Sequence, residues 1–390
     1  MTEARSSGTR GGLWPTRMQG LMLRAALLDG DEARAAFRIW RQEADLDAEF
    51  EVGTYRLLPL AYRNLERLGV EDSFMGRLKG NYRLAWFKSQ TLFRDLEQAL
   101  LEFERAGIRT MLLKGAPLAL AHYAHPALRP MTDVDMMVQP QDARRAVSLM
   151  RGRGWVLHPL ASEEALDFRH ALPLIAPSGL EVDLHWHPLI ESCDGSGDAA
   201  FWDQARPLQV GAVASLRPDS TMTLLHTIVH GVRWSEVPPL RWIADAMTVL
   251  RDPVEPLDWD RFLAVAEAIR ASHRLRLGCE HLRDGFAAPI PAATIARLAA
   301  RTITLIERLE NTTILQDADV LSRTPLGRLR VLFIDYLRAA KTHAPIGFVT
   351  GFTHYLRFRM RQRGRLEILR DVVRGLWRRA RNRLGDGAAR

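Results

Sequence analysis

Two aspartates, Asp133 and Asp135, stand one residue apart in the run Met131-Thr132-Asp133-Val134-Asp135-Met136-Met137-Val138. Strand side chains alternate faces, so both carboxylates share one face while Val134, Met136 and Val138 share the other and enter a core. Like charges at that spacing repel unless a cation lies between them. Hard oxygen donors so arranged suit Mg²⁺, which takes one or two carboxylates and completes its shell with substrate phosphates. Just upstream, Thr110 to Leu113 reads as a short apolar strand and Lys114-Gly115 as a tight turn opening a helical segment to about Tyr123. Backbone N–H groups and a lysine ammonium at a helix start favour an anion.

A second informative stretch is Glu181-Val182-Asp183-Leu184-His185-Trp186-His187. Its strict alternation places Glu181, Asp183, His185 and His187 on one strand face and Val182, Leu184 and Trp186 on the other. Strands over Phe168–Leu174 and Leu180–Pro188 are expected to pair through the turn Ala176-Pro177-Ser178-Gly179. Pro140 to Gly154 has the apolar spacing of a helix, and Trp155-Val156-Leu157 begins another strand. Before this core, the helical period dominates from residue 17, and the helix near 82–105 closes at Ala106-Gly107. After it, helices are expected over Thr221–His230, Pro239–Leu250, Trp259–Ala271, a long run Ala292–Leu309, and Arg328–Ala340.

The turn Leu112-Leu113-Lys114-Gly115 and the strand Arg129-Pro130-Met131-Thr132-Asp133-Val134-Asp135-Met136-Met137-Val138 together resemble the nucleotidyltransferase superfamily. More closely, the stretch looks like bacterial nucleotidyltransferase families that write the turn LLKG and the metal strand RPMxDhDhhV. The resemblance runs from about Gly107 to about Leu250. It implies a third acid on a neighbouring strand, for which Asp183 is the best match and Glu181 the runner-up. Asp133, Asp135 and Asp183 would then hold Mg²⁺ (or Mn²⁺) against the phosphates of an NTP. Lys114 and Gly115 would contact the triphosphate, although the superfamily usually has a second glycine where Lys114 stands and a serine or threonine where Ala116 stands. Arg129 could add a bidentate phosphate contact, set against an ordinary solvated arginine. His185 could orient the acceptor or act as its base, whereas His187 is expected to close the strand. His226 and His230, spaced i, i+4, fit a core or supporting role better than a Zn²⁺ site, since no glutamate stands between them. Asp245 either reaches the cleft or pairs with Arg241.

Of 390 residues, 47% are hydrophobic and 26% charged, ordinary values for a globular chain with room for a sizeable core. Two cysteines, Cys193 and Cys279, make no disulfide framework and no metal-ligand spacing, which suits a reducing compartment such as the bacterial cytoplasm. No window is apolar enough for a membrane span. The net charge of +8 resides in the tail: from Tyr355 onward there are twelve arginines against three acids. The helix expected over Leu366–Leu384 is amphipathic and Arg-rich, the pattern that docks on an anionic membrane surface or an acidic partner. Lone Trp377 gives no stacking signal for nucleic acid.

The expected fold class is α+β, a nucleotidyltransferase-fold mixed sheet flanked by helical segments. Its expected organisation is a disordered terminus (1–16), a helical segment (17–107), the sheet core (108–215), a helical domain (216–350) and a basic tail (351–390). The expected function is metal-dependent transfer of a nucleoside monophosphate from an NTP to a small-molecule or peptide or protein hydroxyl, with release of pyrophosphate, in the cytoplasm or at its membrane surface. The alternative is a non-catalytic nucleotide sensor or adaptor that docks through its basic helix.

Overall fold

A computed structural model describes residues 12–46, 49–159, 161–233, 239–251, 255–314, 325–339 and 348–362. Most of the N-terminal segment expected to be disordered, and the basic helix Leu366–Leu384, lie outside the described residues. Helices Arg17–Leu27, Gly30–Glu43, Val52–Arg67 and Met75–Arg105 precede the sheet. Thr16 and Gln19 form a capping box at the first of them. Gln19 also donates to Glu51 Oε1 at 2.7 Å, and Glu51 in turn caps Thr54 N at 3.2 Å, which fixes the start of the third helix.

The sheet has seven strands: β1 (Met111–Leu113), β2 (Asp133–Met137), β3 (Val156–Leu157), β4 (Ala171–Ile175), β5 (Glu181–His185), β6 (Arg206–Val210) and β7 (Val213–Arg217). Their order is β3-β4-β5-β2-β1-β7-β6. β2 runs antiparallel to β1 and parallel to β5, while β1 runs parallel to β7. The sheet is therefore mixed and the fold α+β, as expected. In the β2–β5 register Asp133 faces Glu181 and Asp135 faces Asp183.

The sheet separates two apolar cores. The even positions of β2 and β5 (Val134, Met136, Val182, Leu184) pack with Leu96, Phe103, Val147, Tyr336 and Tyr355. On the opposite face Met111, Leu113 and Met137 join a larger core built from both helical parts of the chain, including Leu23, Leu57, Ile228, Ile243 and Leu275. Residues before and after the sheet thus bury one another's apolar surface, the dominant stabilising effect. A buried ionic chain adds specificity: Arg274 bonds Glu191 at 2.5 Å and Glu310 at 3.2 Å, and Arg338 bonds Glu310 at 2.7 Å.

Several expected elements differ. Phe168 ends a short helix, Ala165–Phe168, and its strand starts at Ala171. The run Ala292–Leu309 is split into Ala292–Ala299 and Leu305–Ile314, because Thr304 and Glu307 cap a fresh helix start: Thr304 N donates to Glu307 Oε2 at 2.9 Å and Glu307 N to Thr304 Oγ1 at 3.4 Å. The β6–β7 hairpin and the Ser272–Phe286 helix were not among the expected elements. Among the described residues, no helix is long and apolar enough to cross a membrane.

Candidate active site

Strand β1 ends at Leu113 and the chain turns at Lys114, whose backbone (φ 49°, ψ −106°) lies in a region that side-chain-bearing residues rarely occupy. That turn brings the Lys114 ammonium onto Asp135 Oδ1 as an ion pair. The same oxygen accepts from His185 Nε2 at 3.0 Å, and His185 Nδ1 faces the His187 carbonyl at 3.3 Å. His185 is 1% exposed, so it acts on the site through Asp135. Burial alone would raise the Asp135 pKa, but Lys114 and His185 outweigh it and hold the carboxyl far below the usual range. Asp183 behaves oppositely: burial first, then the charge of Asp135, pushes its pKa up. Two carboxylates on neighbouring strands thus compete for one cation's worth of compensation.

Ligand atoms of Asp135, Asp183 and His185 lie within 4.8 Å of one another. Asp133 is outside that trio, at the half-buried start of β2, where its Oδ1 accepts from Thr132 Oγ1 at 3.4 Å. Glu181 is exposed. All three aspartates nevertheless line one cavity of about 430 Å³, together with Lys114, Gly115 and Arg129. A Cβ on Gly115 would stand 2.5 Å from Met131 Sδ and 2.7 Å from Arg129 Nη1, so only glycine lets Arg129 approach the turn this closely.

Arg129 is neither solvated nor free. It is 4% exposed and forms a bidentate pair with Asp245, Nε to Oδ1 at 3.0 Å and Nη2 to Oδ2 at 2.9 Å. Tyr123 donates to the same carboxylate at 2.9 Å. Asp245 reaches the cleft, and its partner is Arg129 where a helical pair with Arg241 was the competing expectation. The third Arg129 nitrogen, Nη1, takes no part in the pair with Asp245 and lies beside the Lys114-Gly115 turn.

The helical side of the cavity holds His226 and His230, their rings stacked at 6.2 Å between centroids. His226 Nε2 is bonded to the Pro188 carbonyl at 2.9 Å, and burial with the Lys114 charge lowers its pKa to about 3. Burial and Lys114 also hold His230 well below the ordinary value. Both are neutral at physiological pH, and neither belongs to the carboxylate cluster. His187 has left the strand and pairs with Asp198 at 2.6 Å. Among the further lining residues, Gly53, Arg56 and Trp242 had no part in the sequence reading, and Arg241 entered it only as a possible partner of Asp245. They sit on helices far from the aspartates in sequence, and no local spacing marks them.

The carboxylate cluster and the cationic turn beside it thus lie on the central strands of the mixed sheet, and the cluster offers the hard oxygen donors that a divalent cation takes. The chain belongs to a family described as uncharacterised nucleotidyltransferase, whose model matches residues 53–287, more than half of its length. No curated protein matches the sequence. Among solved structures, an antigenic nucleotidyltransferase-like protein from Paracoccidioides brasiliensis is similar at 14% identity over 53% of this chain and 97% of that one, with a TM-score of 0.36. That score is too low to support any argument.

Proposed function

We propose that the protein is a divalent-metal-dependent nucleotidyltransferase that moves a nucleoside monophosphate from an NTP to a hydroxyl of a small molecule or a peptide or protein side chain. The single observation that carries this reading is the placement of Asp135 and Asp183 side by side in a cavity that also holds Lys114, Gly115 and Asp133. The donor set fits Mg²⁺ or Mn²⁺: two neighbouring carboxylates supply hard oxygens, and His185 fixes one of them. When bound, such an ion polarises the phosphoryl oxygens and lowers the pKa of the acceptor hydroxyl.

The chain's own groups do the rest. Lys114 and Arg129 Nη1 neutralise the phosphate oxygens, and the Gly115 turn lets them approach. The acceptor oxygen attacks the α-phosphorus, the bond from that phosphorus to the bridging oxygen breaks, and pyrophosphate leaves with the bonding pair. The hydroxyl proton passes to Asp183, which lines the same cavity, and from there to water. Neutral His226 and His230 wall the cavity without adding charge.

The test is pyrophosphate release from a panel of NTPs with Mg²⁺ or Mn²⁺, comparing wild type with the Asp133→Asn, Asp135→Asn double variant and searching for nucleotidylated products by mass spectrometry. Turnover that vanishes in the double variant supports the reading. Absence of both turnover and metal-dependent nucleotide binding in the wild type sinks it.

One observation favours a second reading, a nucleotide-binding adaptor without turnover: Lys114 forms an ion pair with Asp135 and so supplies that carboxylate with a cation from the chain itself. On that reading the Arg-rich tail docks the protein on an acidic partner or an anionic membrane surface from the cytoplasm. Nucleotide binding that persists in Asp133→Asn, with no pyrophosphate released by either form, selects it.

A further inference from the structure

Arg56 projects from the Val52–Arg67 helix and Arg241 from the first turn of the Arg241–Leu250 helix, and both line the cavity opposite the sheet. Each makes one local contact: Arg56 Nη2 donates to Thr132 Oγ1 at 3.3 Å, and Arg241 Nη1 donates to the Pro130 carbonyl. Among the described residues, no carboxylate lies within ion-pairing distance of either guanidinium. Arg129, by contrast, is matched by Asp245. Both arginines are half-buried and face the cavity without a directly paired carboxylate, which leaves their N–H groups available to an anion.

Two further facts point the same way. Burial and the neighbouring charge of Arg129, only partly offset by Asp245 and Asp133, lower the Arg241 pKa to about 9, a shift that a bound anion would relieve. The helix that Arg241 begins has Leu240 as its N-cap, with no side-chain hydrogen bond to its first turn, so the peptide dipoles there add positive potential. Position separates this group from the Lys114-Gly115 turn. Lys114 serves the Asp135 end of the cavity, whereas Arg56 is tied through Thr132 to the Asp133 end.

We propose that Arg56 and Arg241 form a phosphoryl-binding subsite on the helical wall of the cavity, distinct from the Lys114-Gly115 turn. Their planar N–H forks match the oxygens of a phosphoryl group. The inference rests on the nucleotidyltransferase reading only for the source of that group, which is either the pyrophosphate end of the NTP or a phosphorylated acceptor.

The experiment is calorimetric titration of the full chain with inorganic pyrophosphate in the presence of a chelator, using wild type, Arg56→Met and Arg241→Met. Each substitution is expected to weaken pyrophosphate on the order of tenfold while leaving nucleoside binding unchanged. Where the NTP is the source, the same variants weaken a non-hydrolysable NTP by a similar factor and the monophosphate far less. Where the acceptor is the source, NTP affinity is unchanged and pyrophosphate still binds the NTP-saturated wild type. Equal pyrophosphate affinity in all three forms overturns the subsite. Arg56→Met gives up a single 3.3 Å contact, so it keeps the test decisive if Arg241→Met does not fold. Arginine-dependent pyrophosphate binding in a protein with no metal-dependent transfer would uphold the subsite and retire the enzyme reading.

Discussion

The Lys114 ammonium and the Asp135 carboxylate form an ion pair in the place where a divalent ion would meet Asp135. The two cations compete for one carboxylate. Lys114→Met is therefore expected to tighten Mn²⁺ binding in the absence of nucleotide, by a factor on the order of ten, and to weaken the NTP. Electron paramagnetic resonance titration of Mn²⁺ reads the first effect and nucleotide titration the second. Weaker Mn²⁺ binding in the variant would show that Lys114 supports the ion and does not compete with it.

Asp135 and Asp183 carry opposite linkage signs. Asp135 has a depressed pKa, so its contribution to stability is present above the unfolded-state value and disappears as pH falls through the folded one. Asp183 has a raised pKa, so the metal-free protein loses stability as pH rises from the ordinary aspartate value through the raised one. Thermal unfolding at neutral pH without metal should show Asp183→Asn stabilised by about 1 kcal/mol and Asp135→Asn destabilised by a similar or larger amount. Mn²⁺ should raise the melting temperature of the wild type and of neither variant, and its affinity should decline with falling pH as Asp183 takes up a proton.

Arg129, Asp245 and Tyr123 form a fully buried charged group. Removing one member of such a pair strands the other, so Asp245→Asn or Arg129→Met should each cost about 3–5 kcal/mol in denaturant unfolding. The double variant should cost clearly less than the sum. Additive losses would mean that the pair is not coupled.

Gly231 packs against the ring of Trp242, and a Cβ there would stand 2.1 Å from Trp242 Cγ. Gly231→Ala must displace that indole, which lines the cavity beside Arg241. A stability loss of about 1–3 kcal/mol, accompanied by weaker pyrophosphate binding, is expected. Unchanged binding would indicate that the indole relaxes away from the site.

The sheet side of this site was legible because strand alternation is a local signal. Asp133-Val134-Asp135 and Glu181 to His187 each reveal which residues share a face, and the observed register sets Asp135 opposite Asp183. Which donors gather most closely was not legible: His185 reaches Asp135 while Asp133 stands apart, a matter of fractions of a strand step and of side-chain rotamers. The pairing of Asp245 with Arg129 spans 116 residues, and the i, i+4 neighbour Arg241 made a nearer partner on paper. Arg56 and Arg241 had no pattern to betray them, since their meaning arises only when helices from both sides of the sheet meet over it. The β6–β7 hairpin is different: Arg206–Val210 and Val213–Arg217 flank Gly211, whose φ of 56° suits a two-residue turn, and that signal was present in the sequence.

The division of the apolar interior into two cores separates two kinds of change. Val134, Met136, Val182 and Leu184 anchor the carboxylate strands in one core, while the helices that carry Arg56, His226 and Arg241 belong to the other. Substitutions that remodel the helical wall can alter which molecule is admitted and leave the aspartates in register. The helical wall and the carboxylate strands are thereby able to vary separately.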